Sequence, residues 1–279
     1  MRLEVGRIIE VNSDTFTVKC NGITILSKSR GRFRNIKLKP VVGDIVDVDT
    51  NKKVIESVHD RKNYLDRPPV ANVDIALIIT SIKKPDINLT LLDKLISIIT
   101  INKIEPVIVF TKLDLASRSD LKKIKKLSKY YERIGIKVFN NKRVNKIKKY
   151  LKNKVVTVCG QTGAGKSTLI NKFDKNLNLE TKEISDALGR GVHTTRLVSL
   201  YEIDNYFVVD TPGFSAIDIN NYSIDEIKNS FREIRDIKCK YNDCKHISEE
   251  GCNVLNNKNI LPSRYDNYVK FIKESKWYQ

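Results

Sequence analysis

The sequence predicts a multidomain chain: a small N-terminal β-barrel, a central α/β domain, and a small C-terminal α-helical segment stapled by a metal. Three observations carry this. The first sixty residues alternate apolar and polar in short runs between turn residues. From Asn72 the runs become continuously apolar and interleave with helical stripes. Near the C-terminus three Cys and one His crowd into residues 239–252. At 279 residues, 41% hydrophobic and 30% charged, the chain has material for a real core, which excludes wholesale disorder. It has no apolar run of about 18 residues, so no membrane-spanning helix is expected. The opening MRLEVGRIIE is unlike a secretory signal, and five unevenly spread Cys do not make a disulfide framework. A cytoplasmic protein without a membrane partner is the expectation.

The charge is uneven. There are 51 Lys and Arg against 33 Asp and Glu, a formal net charge of +18. Lysine-rich composition alone would spread this evenly. Instead residues 118–154 hold 15 basic residues against Asp120 and Glu132, and residues 19–39 hold seven with no acidic one. Clusters of this kind are the footprint of a nucleic-acid-binding face.

Element by element, Val5–Val11, Phe16–Val18, Ile23–Leu26, Ile45–Val48 and Val54–Val58 read as strands of an OB or SH3-like barrel, between which the pattern does not choose. The basic stretch 28–39 falls on its loop or edge, where such a barrel meets nucleic acid. Val73–Thr80, Pro106–Thr111 and Val155–Cys159 read as buried parallel strands. Leu92, Leu95, Ile96 and Ile99 fall at helical spacing, and Leu121, Ile124, Ser128 and Tyr131 mark a helix with a lysine outer face. Residues 197–203 and 206–210 read as a strand pair turning at Asp204-Asn205. Ser223 and Glu226 form a capping box opening one stripe of Ile224, Ile227, Phe231 and Ile234. A last helix is expected from Ser263, with Tyr265, Tyr268, Val269 and Ile272 inward. The expected domain limits are 1–63, 64–218 and 219–279.

Residues 160–167, Gly160-Gln161-Thr162-Gly163-Ala164-Gly165-Lys166-Ser167, follow a predicted strand and precede the helical stretch from Thr168. This is a P-loop in its required context. Its backbone N–H groups cradle phosphates at a helix N-terminus, Lys166 reaches the β- and γ-phosphates, and Ser167 ligates magnesium. Asp210-Thr211-Pro212-Gly213 ends another strand, where a carboxylate holds magnesium and the Gly213 N–H approaches the γ-phosphate. Thr111-Lys112-Leu113-Asp114 ends a third. The Asp114 carboxylate can accept two hydrogen bonds from guanine, a donor pair that adenine lacks. These motifs point to GTP with magnesium. In the usual order the guanine motif comes last; here it precedes the P-loop, so the sequence predicts a circularly permuted P-loop G domain. A sheet fold tolerates this because its strands need adjacency in space only.

Residues 189–196, GRGVHTTR, read as a switch segment with Thr194 and Thr195. Phe214 stands where many GTPases place the glutamine that orients water, which a phenyl ring cannot do. His193 is the nearby candidate for a catalytic group. Cys239, Cys244, His246 and Cys252 supply a closed set of zinc ligands with no open position, hence one structural zinc. Cys20 and Cys159 read as core residues.

The succession of barrel, permuted G domain and Cys3His cluster resembles the ribosome-small-subunit-dependent GTPase A family over essentially the whole chain. GQTGAGKS, GRGVHTTR, DTPGF and the 239/244/246/252 spacing carry the likeness. The resemblance implies an OB-fold barrel, a GTPase stimulated by the small ribosomal subunit late in that subunit's maturation, and ribosomal RNA contacts through the barrel and the zinc domain. It also implies His193 as a candidate catalytic group and Thr195 as a magnesium ligand, in a monomer binding GTP and GDP. The family's Ser-Ala pair behind the base is replaced here by residues 137–141, Lys-Val-Phe-Asn-Asn. Two alternatives remain: a permuted GTPase of the large subunit, and a non-catalytic RNA adaptor that holds nucleotide as a plug.

Overall fold

The computed structural model describes residues 3–30, 39–66, 69–174, 199–209 and 218–278. By contact the chain forms two compact units. One comprises Met1–Ala76, Asn145–Val158 and Ser167–Gly213, the other Leu77–Val144, Cys159–Lys166 and Phe214–Gln279.

The first unit contains the barrel. Strands β1 (Leu3–Asn12), β2 (Thr15–Cys20), β3 (Ile23–Ser29), β4 (Ile45–Asp49) and β5 (Val54–Val58) close in the order β1-β2-β3-β5-β4. β1 lies antiparallel to both β2 and β4, and β3 closes parallel onto β5. This five-stranded Greek-key closure is that of an OB-fold, which settles what alternation left open. Alternate residues Ile8, Phe16, Val18, Val46, Val48 and Ile55 fill its interior. β1 runs so close to β2 that a Cβ on Gly6 would lie 2.3 Å from the Cys20 sulfur. Just before β4 the buried Asp44 carboxylate accepts two hydrogen bonds from Arg61, at 2.8 and 2.9 Å. A short hairpin follows, β6 (Tyr64–Asp66) with β7 (Pro69–Ala71).

The α/β sheet has six strands: β8 (Ile75–Ser81), β9 (Glu105–Thr111), β10 (Lys137–Asn140), β11 (Val155–Gly160), β12 (Leu200–Ile203) and β13 (Tyr206–Val209), in the order β10-β9-β8-β11-β13-β12. β10 is parallel to β9, β13 is parallel to β11, and β12 is the antiparallel edge turning through Asp204. Every residue of β8 is buried, as its unbroken apolar run requires.

Helix α1 (Leu89–Ile101) starts where the Asn88 side chain accepts the Leu91 N–H, and it buries Leu92, Leu95, Ile96 and Ile99. Helix α2 (Arg118–Arg133) opens on a Ser117/Asp120 capping box. Its inward stripe is Ile124, Leu127, Tyr130 and Tyr131; Leu121 is 41% exposed and Ser128 only half-buried, so the expected stripe is rotated. Leu127 and Tyr130 supply the area that Leu121 would have contributed. Helices α3 (Val144–Leu151) and α4 (Lys166–Phe173) flank β11 in sequence.

The C-terminal stripe is not one helix. The capping box of Ser223 and Glu226 is formed, but α5 (Ile224–Ser230) ends at Phe231, whose ψ of 89° breaks the ladder before α6 (Arg232–Arg235). Ile227, Phe231 and Ile234 are buried nonetheless. Helix α7 (Pro262–Glu274) begins with Pro in its first turn and buries Arg264, Asn267, Tyr268, Phe271 and Ile272, leaving Tyr265 and Val269 half-buried. The inward face therefore sits one position off the expected one. A buried arginine, Arg264, lies on that inward face.

Candidate functional site

Two strand ends of the sheet carry the nucleotide motifs, at the carboxyl edge where open α/β sheets bind ligands. β11 ends in Gly160, whose φ is +132°, and a Cβ there would lie 2.1 Å from the Ile79 carbonyl of β8. Only glycine fits both the dihedral and the close approach. The loop then turns through Gly163 and Gly165, both at positive φ, with the Ala164 N–H donating to the Gln161 carbonyl at 3.1 Å. Lys166 opens α4 and donates to the carbonyls of Gly160 and Gln161 at 3.0 and 3.1 Å. The ammonium thus lies folded over the loop, within reach of phosphates seated on it. Ser167 is buried in the first turn of α4 while Gln161, Thr162 and Thr168 are wholly or partly exposed. Burial pushes the Cys159 thiol up to about 12, so it is an inert core group as expected.

β9 delivers the second motif to the same place. The Thr111 hydroxyl, 2% exposed, donates to the Ala164 carbonyl at 2.6 Å. Lys112 takes a left-handed conformation, φ 55°, and its ammonium donates to the Lys84 carbonyl. That turn starts a 3-10 segment over Leu113–Leu115, which holds the Asp114 carboxylate exposed beyond the strand end. Just past the end of β10 the Asn141 N–H donates to the Phe110 carbonyl, while the buried Asn141 Oδ1 has no partner among the described residues. Asp210, Gly213, Thr195 and His193 lie outside the described residues.

Cys239, Cys244, His246 and Cys252 converge, their ligand atoms all within 4.8 Å of one another. His246 Nδ1 is 3.3 to 3.4 Å from each of the three sulfurs, and the Cys239 and Cys252 sulfurs are 3.8 Å apart. A tetrahedral zinc with bonds of about 2.3 Å to sulfur and about 2.0 Å to nitrogen requires S–N and S–S edges of roughly 3.5 and 3.8 Å. The donor set therefore fits zinc. Burial, then the neighbouring thiols, push Cys244 up to about 12. Outside the ligands, the Glu249 carboxylate accepts the N–H groups of Lys245, Ile247 and Ser248 at 2.6 to 3.1 Å. Burial opposes its charge, but those N–H groups win and hold its pKa at about 2. Tyr265 and Tyr268 of α7 donate to the His246, Ile247 and Lys245 carbonyls, and Lys228 to that of Cys244. Helix side chains thereby hold the loop that carries Cys244 and His246.

Comparison with known proteins adds identity to this geometry. The RsgA GTPase family matches residues 58–220 and the RsgA N-terminal domain matches residues 5–54. The chain belongs to the RsgA GTPase family. The small ribosomal subunit biogenesis GTPase RsgA of Staphylococcus saprophyticus is 41% identical, the match covering 98% of this chain and 97% of that one. The RsgA of Thermotoga petrophila is 38% identical, with 96% of each chain covered. Among solved structures, YjeQ from Thermotoga maritima superposes with a TM-score of 0.85 at 34% identity, covering 98% of both chains. YloQ, described as a circularly permuted GTPase, superposes with a TM-score of 0.85 at 29% identity over 99% of this chain and 96% of that one. As an RsgA GTPase the chain is a circularly permuted GTP hydrolase, and the motif order 111–114 before 160–167 is that permutation.

The sequence reading missed the polar group between α1, α2, α6 and α7. Arg264, 1% exposed, binds Asp93 at 2.9 Å and Glu233 at 2.7 and 3.1 Å. Its only signal was a set of charges at helix positions whose spacing turned them inward. Among the described residues no helix is long and apolar enough to cross a membrane.

Proposed function

We propose that this RsgA GTPase hydrolyses GTP in the late maturation of the small ribosomal subunit, is stimulated by that subunit, and docks on it through ribosomal RNA. The observation that carries the nucleotide part is the Thr111–Ala164 hydrogen bond, which brings the guanine motif onto the P-loop despite their reversed order. The ribosomal part is supported by the names of relatives matched from end to end and by the charge of +18. It is supported too by Lys122, Lys123, Lys125, Lys126 and Lys129, all exposed on α2.

In this reading Gly160–Thr168 and the Gly213 N–H cradle the phosphates, with Lys166 on the β- and γ-oxygens. Thr111, Lys112, Leu113 and Asp114 form the guanine side, with Asp114 accepting the base's donors. Ser167, Thr195 and Asp210 would hold magnesium, which would neutralise phosphate charge. His193 aids attack by water, in place of the glutamine that Phe214 displaces. The Cys239, Cys244, His246 and Cys252 set holds one structural zinc. The modules 1–63, 64–218 and 219–279 act as RNA-binding barrel, GTPase and zinc domain of a cytoplasmic monomer.

Single-turnover cleavage of GTP, alone and with purified small or large subunits, tests the reading. Acceleration by the small subunit alone is expected, and His193→Ala should reduce the accelerated rate while leaving subunit docking intact. Acceleration by the large subunit, or no cleavage in any mixture, would overturn it.

A further inference from the structure

A cleft of about 800 Å³ opens where the C-terminal end of α2 meets α6 and residues 257–260. Three arginines line it: Arg133 from α2, and Arg232 and Arg235 from α6. Arg133 donates to the Asn259 carbonyl, Arg232 to the Gly135 carbonyl at 2.6 Å, and Arg235 Nε to its neighbour Asp236 at 3.0 Å. A guanidinium carries five donors, so each retains others. The lining carboxylate, Glu233, is already held by Arg264. Burial and then the charge of Arg235 weaken the protonated form of Arg232, with Glu105 and Glu233 opposing, so like charges are crowded here. Thr100 also lines the cleft, and its buried Oγ1 has no hydrogen-bond partner among the described residues.

We propose that this cleft is a phosphodiester-binding pocket that takes one nucleotide of a ribosomal RNA strand. The volume is that of a nucleotide-sized site, and planar guanidinium groups suit phosphate oxygens. The track leading from it argues for a strand rather than a free nucleotide. Lys122, Lys126, Lys129 and Arg133 recur at helical spacing and are all exposed, a basic stripe about 16 Å long at 1.5 Å per residue. A single nucleotide cannot use such a stripe; a strand with a phosphate at every residue can. The inference rests on the RNA-docking reading above and assigns it a specific site.

The test uses the full-length, zinc-loaded protein and purified small subunits. Reactivity of each arginine towards phenylglyoxal is read by mass spectrometry, free and in the complex. Affinity is measured across a salt series for the wild type, Arg133→Gln and Arg235→Gln, with melting temperatures confirming that the variants fold. Protection of Arg133, Arg232 and Arg235 in the complex is expected. The slope of log affinity on log salt should fall by about one for each substitution. Salt-sensitive docking with all three arginines still reactive and the slopes unchanged would overturn the pocket and leave the RNA-docking reading standing. A mononucleotide protecting the arginines as fully as the subunit would overturn the assignment to RNA. Failure of the wild type to bind the subunit would overturn the broader reading first.

Discussion

The Thr111 hydroxyl donates to the Ala164 carbonyl at 2.6 Å, and through that bond the end of β9 is fastened to the phosphate loop after β11. The two motifs are 53 residues apart in sequence and reversed from the usual order. A hydroxyl has one proton, and this one is directed at Ala164; in the proposed reading Thr111 would therefore act by positioning the loop and the 111–114 turn together.

Thr111→Val keeps the shape and removes the donor. The expected result is a parallel loss of GTP and GDP affinity of about three- to tenfold, the worth of one neutral hydrogen bond of about 1 kcal/mol. Discrimination against ATP should be unchanged by calorimetric titration. A collapse of that discrimination would mean that the hydroxyl touches the base.

Asp114 stands exposed on a 3-10 turn, free of the sheet's core. Asp114→Asn should transfer affinity from GTP to xanthosine triphosphate, whose C2 oxygen needs a donor where guanine has an amine. Stability should be unaltered, since the side chain is exposed. Normal GTP binding by the variant would remove Asp114 from the base site.

Most of this architecture was legible because it follows from local rules. Apolar runs without alternation became β8, β9 and β11, alternation became the barrel, and Ser223 capped the helix it precedes. The P-loop was legible because Gly160 has no substitute at φ +132° against the Ile79 carbonyl. The misses are tertiary. Leu121 yielded its place to Leu127 and Tyr130, and Phe231 ended a helix whose apolar period runs on through it. Periodicity assigns apolar residues to cores and leaves charges outside, so Arg264 and Asp93 could not be read as core. The cleft arginines were likewise hidden, since α2 and α6 meet only in the folded chain.

The zinc cluster makes a separable prediction. Purified protein should contain about one zinc per chain. Cys244→Ser should lose it and expose the segment beyond residue 238 to proteolysis, because a bound metal would tie Cys239, Cys244, His246 and Cys252 together across that segment. Intrinsic GTP turnover should change little, as a four-ligand site has no open position for chemistry. A metal-free protein with a protected C-terminal segment would sink the zinc assignment.

Arg264 offers the sharpest stability test. Its guanidinium joins Asp93 on α1 to Glu233 on α6, with Tyr131 and Asn267 donating to the same Asp93 carboxylate at 2.7 and 2.6 Å and Tyr130 to Glu233 at 3.0 Å. Arg264→Met keeps much of the volume and strands two carboxylates out of water, so a loss of about 3–5 kcal/mol is expected at neutral pH. Adding Asp93→Asn and Glu233→Gln should recover most of it, because neutral amides in the same positions lack the stranded charge. The acid response should reverse sign. In the wild type, burial raises the Glu233 pKa, but Arg264 more than offsets this and leaves it below its ordinary 4.5. That contribution is complete above pH 4.5 and is lost as the pH falls through the lowered value, so acid destabilises. Without Arg264, burial, the largest influence on Glu233, is opposed only by its backbone hydrogen bond and Tyr130, so its pKa rises and mild acid restores stability by protonating it. Urea midpoints across the acid range, followed by circular dichroism, distinguish the two slopes. A variant that loses stability in acid as the wild type does would show that Arg264 does not set the charge state of this core.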